Sequence, residues 1–372
     1  MGSAEPTEQT RFWLVLLHNS IFFLLISAAC IFIQAVVALA QGSWIIAYRR
    51  IPEAIGANVW VFGLIAIVIL FLTAFVFRID GHNPIYTWMT EGKTDPIISQ
   101  KTAFLNPAMF VVFTLLTVGS WAFIGKRMRD LSLAQEKAPK NSTKIYWAFF
   151  RLSAIFLVVY ALTQMSITPW LWIMSIDAHW YSTMFSWYSF ASAFVSGVSL
   201  ILIWVIYLKN QGYLQLVNKE HVHDLGKFQF AFSIFWTYVW FAQYMLIWYS
   251  NIPEETVYFK MRQQGPYSVI WYATFIINFV LPILVLMSRS SKRNYFTVSV
   301  MAMLIIFGHW LDFYIMIMPG PMGGQWHLSW YEMGIFAGFA GVMMLTVGRL
   351  LSKASLVTHN NLMLKETILH QS

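Results

Sequence analysis

The chain has one cysteine, Cys30, in 372 residues. A disulfide within the chain needs two, so none can form. Thiolate-held iron–sulfur clusters and a c-type haem attachment are excluded on the same ground. Charge is scarce as well. Asp, Glu, Lys and Arg make up 11% of the residues, against about a quarter in an ordinary soluble domain. Sustained strand alternation is missing, as are a phosphate-binding glycine loop, a nucleophile elbow and zinc-ligand spacing. Met1–Thr10 is polar and lacks a basic start, so it does not read as a cleavable leader.

What is present is apolar and aromatic. Hydrophobic residues make up 58% and aromatic residues 18%, with 18 Trp. That combination predicts an all-α polytopic membrane protein with aromatic belts at both interfaces. The net charge of +8 does not point to nucleic acid, because the basic residues lie between apolar runs.

A membrane-spanning helix needs roughly 20 apolar residues. Nine runs qualify, at about 12–40, 57–77, 104–125, 146–167, 183–208, 227–250, 268–288, 295–318 and 332–351. Pro52, Pro169, Pro253, Pro266 and Pro319 fall between them, and Pro282 inside the seventh predicts a kink. With loops assigned alternately, one side holds six Lys and Arg, including Arg78, Lys93 and Arg262; the other holds seventeen. The richer side is expected to be cytoplasmic. This places the N-terminus outside and the C-terminus inside.

One stretch organises the rest. Trp170–Trp187 lies between the fourth and fifth runs, is crowded with tryptophan and has no Lys or Arg. It carries Asp177 and His179. A His–carboxylate pair can accept a hydroxyl proton, because the carboxylate raises the basicity of the imidazole. Capping of helix ends is the alternative. The same spacing recurs at Asp80 and His82. His309 and Asp312 share one face of the eighth run. Asp312 lies roughly 9 Å from the outer end of that run, where an acid must be paired or protonated. These two residues either share the pocket of Asp177 and His179 or form a satisfied interhelical pair.

At the other mouth, His221, His223 and Asp224 open the sixth run. They read as a proton entry or as a capped helix start. Arg151 lies just inside the fourth run, either facing the bundle or snorkelling outward. Ser189, Ser192, Ser196 and Ser199 line one face of the fifth run; Ser233, Thr237 and Tyr244 line one face of the sixth. Such hydroxyls relay protons or let helices approach closely. Glu254 and Glu255 follow Asn251 and Pro253 in the order of a helix start and suit partner docking. Only His18 and His309 lie within runs, too few for a repeated haem-ligand pattern, so no bound cofactor or metal is expected on this chain.

These residues carry a resemblance. Trp170–Gly197 (WLWIMSIDAHWYSTMFSWYSFASAFVSG), His223–Phe259 (HDLGKFQFAFSIFWTYVWFAQYMLIWYSNIPEETVYF), Gly308–Pro319 (GHWLDFYIMIMP) and Gly-Gly-x-Trp at Gly323–Trp326 resemble the ActF-type membrane subunits of bacterial alternative complex III, over about Trp44–Leu356. That complex is a quinol-oxidising respiratory assembly, and its membrane subunits are of the NrfD/polysulfide-reductase type. The resemblance implies two four-helix bundles, about 12–167 and 183–318, a peripheral helix at about 332–351 and a cytoplasmic tail, 352–372. Fuller members have a tenth helix in front. A bacterial inner-membrane location follows. The implied partners are a second NrfD-like subunit, an iron–sulfur subunit, multihaem and monohaem cytochrome c subunits, small membrane subunits, a cytochrome oxidase and lipids. Menaquinol-type quinol is the implied substrate, with iron–sulfur clusters and haem c in the partners. Asp177, His179, His309 and Asp312 would then line an outer quinone pocket or proton exit. Arg151, His221, His223, Asp224, Ser233, Thr237 and Tyr244 would mark a proton path, and Glu254 and Glu255 would dock outer subunits. A purely structural scaffold is the remaining alternative.

Overall fold

A computed structural model describes residues 8–92, 94–139, 143–324 and 328–370. Lys93, Lys140 and Trp326 lie outside the described residues. Among those described, nine helices are long and apolar enough to cross a membrane: Glu8–Leu39, Arg50–Val76, Pro107–Lys137, Thr143–Ile176, Met184–Asn210, Lys219–Ser250, Ser268–Leu286, Tyr295–Ile317 and Trp330–Leu351. They are called the first to ninth spans below. Among the same residues no strand occurs, and one isolated bridge joins Ile79 to His82.

The spans close two rings. The first four contact one another in sequence, and the fourth returns to the first. The fifth contacts the sixth and eighth, and the seventh closes the ring between them. The first and fifth spans form the seam between rings. Their apolar segments are 83% and 89% buried, against 17% for the ninth span, which rests on the first and second. Gly197 permits the seam: a Cβ there would sit 3.1 Å from Ala29 Cβ. Ends are named after their residues, the Asp177 end and the His221 end.

Several boundaries differ from the sequence expectation. The second span begins at Arg50, because residues 50–57 form a helix that runs on through Asn58. Pro52 therefore lies in a first turn, where its missing N–H costs nothing. Pro169 does not separate spans either. It lies inside a wide-turn segment, Thr163–Ile173, that extends the fourth span to Ile176. A wide turn accommodates the lost hydrogen bond without breaking the helix. A second wide turn, Ile276–Val280, lies next to Pro282. A third, Leu72–Val76, frees the carbonyls of Thr73 and Ala74, and Asn83 Nδ2 donates to both at 2.9 Å.

The tail is not free. Arg50 Nε donates to the Ser355 carbonyl at 3.2 Å, Asn360 Nδ2 to that of Glu136 at 2.7 Å, and Thr367 Oγ1 to that of Trp44 at 3.4 Å. The segment thus lies across the His221 end.

Candidate functional site

A buried polar node lies inside the second ring. The fifth span supplies Tyr188 and Ser192, the sixth Trp236, and the eighth His309 and Asp312. Every one of them is buried. Tyr188 Oη donates to Asp312 Oδ1; Trp236 Nε1 donates to Oδ2 at 2.9 Å and Ser192 Oγ at 3.1 Å. Three donors from two other helices thus satisfy one buried acid. Ser192 Oγ also lies 2.9 Å from His309 Nδ1. Its single proton goes to Asp312, so the serine oxygen accepts from His309 Nδ1–H. In this tautomer His309 Nε2 carries the lone pair, and that buried atom has no partner.

A polar line leads from this node to the Asp177 end. Tyr188 lies within electrostatic reach of Tyr258 and Arg262. Both sit on the helix Pro253–Gln264, four residues apart and so on one face. Arg262 is buried, with its guanidinium 3.3 Å from the centre of the Tyr258 ring. It donates to the carbonyls of Ile315 at 3.0 Å and Tyr258 at 2.8 Å. Burial loosens the hold of Arg262 on its proton, against Tyr258 and Asp177. Burial also pushes the Tyr258 phenol up to about 12, with Arg262 opposing. Trp180 stacks on the same ring at 3.9 Å. Asp177, half-buried, lies in the field of both Arg262 and Lys101.

Toward the His221 end, buried polar atoms without partners follow one another: Asn278 Nδ2 and Oδ1, Ser233 Oγ and Gln229 Oε1. Gln229 Nε2 donates to Ser199 Oγ at 2.9 Å. At the mouth, Asp224 meets Lys227 at 2.6 Å and His370 of the tail at 2.5 Å. His221 Nδ1 lies 2.7 Å from Asn218 Oδ1, and its Nε2 lies 3.2 Å from Thr367 Oγ1.

The residues singled out in the sequence have different fates. Asp177 and His179 are not paired. A turn at Asp177–Trp180 separates them, and the exposed His179 imidazole binds Asp95 at 2.8 Å. Asp95 is itself the N-cap of Pro96–Ser99. The Ile98 amide and His179 hold its carboxyl below the usual range, with burial opposing. Asp80 and His82 belong to a tight turn in which Asp80 and Gly81 are left-handed. Arg151 is exposed, on the face of the fourth span opposite the buried Phe149, Ser153 and Phe156, and so lies off the polar line. Ser233 and Thr237 are buried, with Thr237 bonded back to the Ser233 carbonyl at 2.8 Å. Tyr244 is half-buried and stacks on Trp240. His223 is buried. Asn251 closes the sixth span in a left-handed turn instead of capping the next helix, whose first turn carries the exposed Glu254 and half-buried Glu255.

In the serine stripe, Ser192 and Ser199 bond to other helices, whereas Ser189 and Ser196 bond back to their own. Sequence reasoning did not select Tyr188, Trp236, Tyr258, Arg262 or Asn278. The i, i+4 pairs Tyr188–Ser192 and Tyr258–Arg262 were the available signal. Also unselected was a cluster in the first ring, where Tyr160 Oη, both amide atoms of Gln164 and Thr168 Oγ1 are buried without partners beside the wide turn.

No protein-family model matches the chain, and no curated protein matches it. An apolar cleft of 380 Å3 opens near the Asp177 end, lined by Phe104, Trp170, Trp180, Tyr181 and Lys101 among others. Neither Asp177 nor His179 lines it.

Proposed function

We propose that this chain is a membrane subunit of a respiratory quinol oxidoreductase of the alternative complex III type, and that its second ring moves protons. The observation that carries the reading is the node of Asp312, Ser192 and His309, buried in a spanning bundle with an unpartnered His309 Nε2. A buried polar group without a partner costs free energy and calls for water or a function. Waters placed along Gln229, Ser233, Asn278 and His309 would satisfy those atoms and link them. A proton arriving at His309 Nε2 is matched by release of the Nδ1 proton toward Ser192. Ser192 passes its own proton to Asp312, which Tyr188 joins to Tyr258, Arg262 and the Asp177 end. Asp224 and His221 stand at the opposite mouth.

In this reading electrons travel through iron–sulfur and haem c groups of partner subunits. Exposed Glu254, at the start of Pro253–Gln264, suits docking to such a partner. The inner-membrane setting, the second NrfD-like subunit and the menaquinol-type substrate belong to the same proposal.

The test uses the assembled complex. Asp312→Asn and His309→Ala are expected to lower proton release per quinol oxidised while the complex still assembles. Wild-type quinol oxidation and proton release in both variants would overturn the proton-path reading. A quinone-contact role has its own observation, the aromatic cleft beside Lys101. Trp170→Ala would then raise the KM for quinol without changing protons per electron.

A further inference from the structure

The first ring has a polar interior of its own. Two indole rungs tie its third and fourth spans. Trp121 Nε1 on the third donates to Thr163 Oγ1 on the fourth at 2.8 Å, and Trp172 Nε1 on the fourth donates back to Thr114 Oγ1 at 2.9 Å. As the third span runs from Thr114 to Trp121, the fourth runs from Trp172 to Thr163, so the two are antiparallel. Thr117 on one and Thr168 on the other therefore fall at matching levels between the rungs.

Around that level the hydrogen bonding stops. Thr117 Oγ1, Thr168 Oγ1, Tyr160 Oη, Gln164 Nε2 and Gln164 Oε1 are buried, and none has a partner. Thr117, Gln164 and Thr168 are 0% exposed and Tyr160 1%, so bulk water does not reach them. Tyr160, Gln164 and Thr168 follow one another at four-residue spacing. In a regular helix such a stripe drifts around the axis; the wide turn Thr163–Ile173 lowers the rotation per residue and keeps it facing inward. The wide turn at Leu72–Val76 is completed by a carboxamide, because Asn83 meets its freed carbonyls directly. Gln164 is the buried carboxamide of the second such turn, and its amide meets no protein group.

The chemistry of these atoms selects a ligand. The set holds no carboxylate, imidazole or cation, which favours a neutral molecule. Its hydroxyls and its amide both donate and accept, as water does. Phe32, Trp121, Phe156 and Phe190 surround the Tyr160 ring at centroid distances of 5.0–6.3 Å. With the polar atoms buried behind these rings, the enclosure suits a small ligand rather than a quinone or an acyl chain.

We propose that the first ring binds a cluster of ordered waters, which bridges Thr117 to Thr168 between the rungs and reaches Gln164 and Tyr160. A buried water takes two to four polar partners, so about two waters serve these atoms. They do for this wide turn what Asn83 does for the one at Leu72–Val76, and they join the third span to the fourth. The inference does not rest on the proton-path reading, because none of these residues lies on that line.

The test uses the full-length protein purified in mild detergent. Short X-ray pulses split ordered water in place, so a buried side chain beside it is oxidised while an equally buried dry one is spared. The products are located by mass spectrometry. The dry reference is Phe62, which is 0% exposed and stacks between Phe23 and Phe339. After correction for intrinsic reactivity, Tyr160 is expected to be oxidised well above Phe62. Gln164→Leu/Thr168→Val removes most of the polar atoms at nearly constant shape and should bring Tyr160 down to the level of Phe62. Thr168→Val alone, the gentler change, should lower it in part. Oxidation of Tyr160 no greater than that of Phe62 in the wild type, or undiminished in both variants, would overturn the proposal.

Discussion

The indole N–H of Trp236 donates to the carboxylate of Asp312 at 2.9 Å, joining the sixth and eighth spans inside the second ring. The two residues lie 76 positions apart, and both are buried. The contact fixes which face of each helix points inward. It also gives an acid in a membrane bundle a donor that cannot ionise in its place.

Trp236→Phe removes that donor and keeps most of the ring. A hydrogen bond to a charged group is worth about 1.5–3 kcal/mol, so thermal unfolding in detergent should register a loss of that order. The Ser192 and Tyr188 donors remain, so the variant is expected to fold. Unchanged stability in Trp236→Phe would mean that Asp312 is satisfied without the indole.

Gly308 precedes His309 and faces the seventh span. A Cβ there would lie 2.1 Å from Asn278 Oδ1 and 2.5 Å from Ile277 Cγ2. Gly308→Ala must displace the seventh span at its wide turn, and overpacking of this kind costs about 1–3 kcal/mol. On the proton-path proposal, the same displacement should lower proton release more than a distant variant of equal stability loss does. Wild-type stability and proton release in Gly308→Ala would show that the two spans are not in close contact.

Arg11 and Glu332 form a buried ion pair at 2.6 Å that fastens the ninth span to the first. Glu332 also closes a capping box with Ser329. Glu332→Ala leaves a guanidinium buried without its main counter-charge, at about 3–5 kcal/mol. The double variant Arg11→Met/Glu332→Leu removes both charges and should recover most of that loss. Thermal unfolding of the two variants side by side decides the point. A single-variant loss below about 1 kcal/mol would mean the pair is hydrated.

The Asp95–His179 contact sets a pH dependence at the Asp177 end. The Asp95 carboxyl is held below its usual value, chiefly by the Ile98 amide and then by His179. A depressed carboxylate stabilises the fold above its unfolded pKa of about 3.9 and loses that contribution as pH falls through the folded value. Segment 96–105 is therefore expected to exchange its amide hydrogens faster below about pH 4, after correction for the intrinsic rate. Asp95→Asn should flatten that dependence. If wild type and variant respond to acid alike, the contact does not anchor the segment.

The legible part of the fold was the part written in periodicity and charge. Nine apolar runs became nine candidate spans because backbone groups in a bilayer must be satisfied within the segment, and an apolar run of that length leaves helix as the solution. The boundaries at Arg50 and Ile176 were less legible. Pro52 and Pro169 look like breaks in a sequence, and only the surrounding packing shows that a first turn or a wide turn absorbs them. His309 and Asp312 were visible as an i, i+3 pair, but their partners Tyr188 and Trp236 lie on other helices.

By itself the sequence determined the class: too little charge for a soluble domain, too little cysteine for thiolate-held clusters, and nine apolar runs separated by polar loops. Those properties follow from transfer free energies, which act residue by residue. The tertiary structure decided the pairings. Asp177 and His179 are two residues apart, yet a turn sends the imidazole to Asp95. Tyr258 and Arg262 read as loop residues, yet their helix folds inward beneath Trp180. His370 in the tail lies 146 positions from Asp224, yet the two meet at 2.5 Å. A pairing depends on helix rotation and on contacts between segments far apart in the chain, and no local property of either residue encodes it.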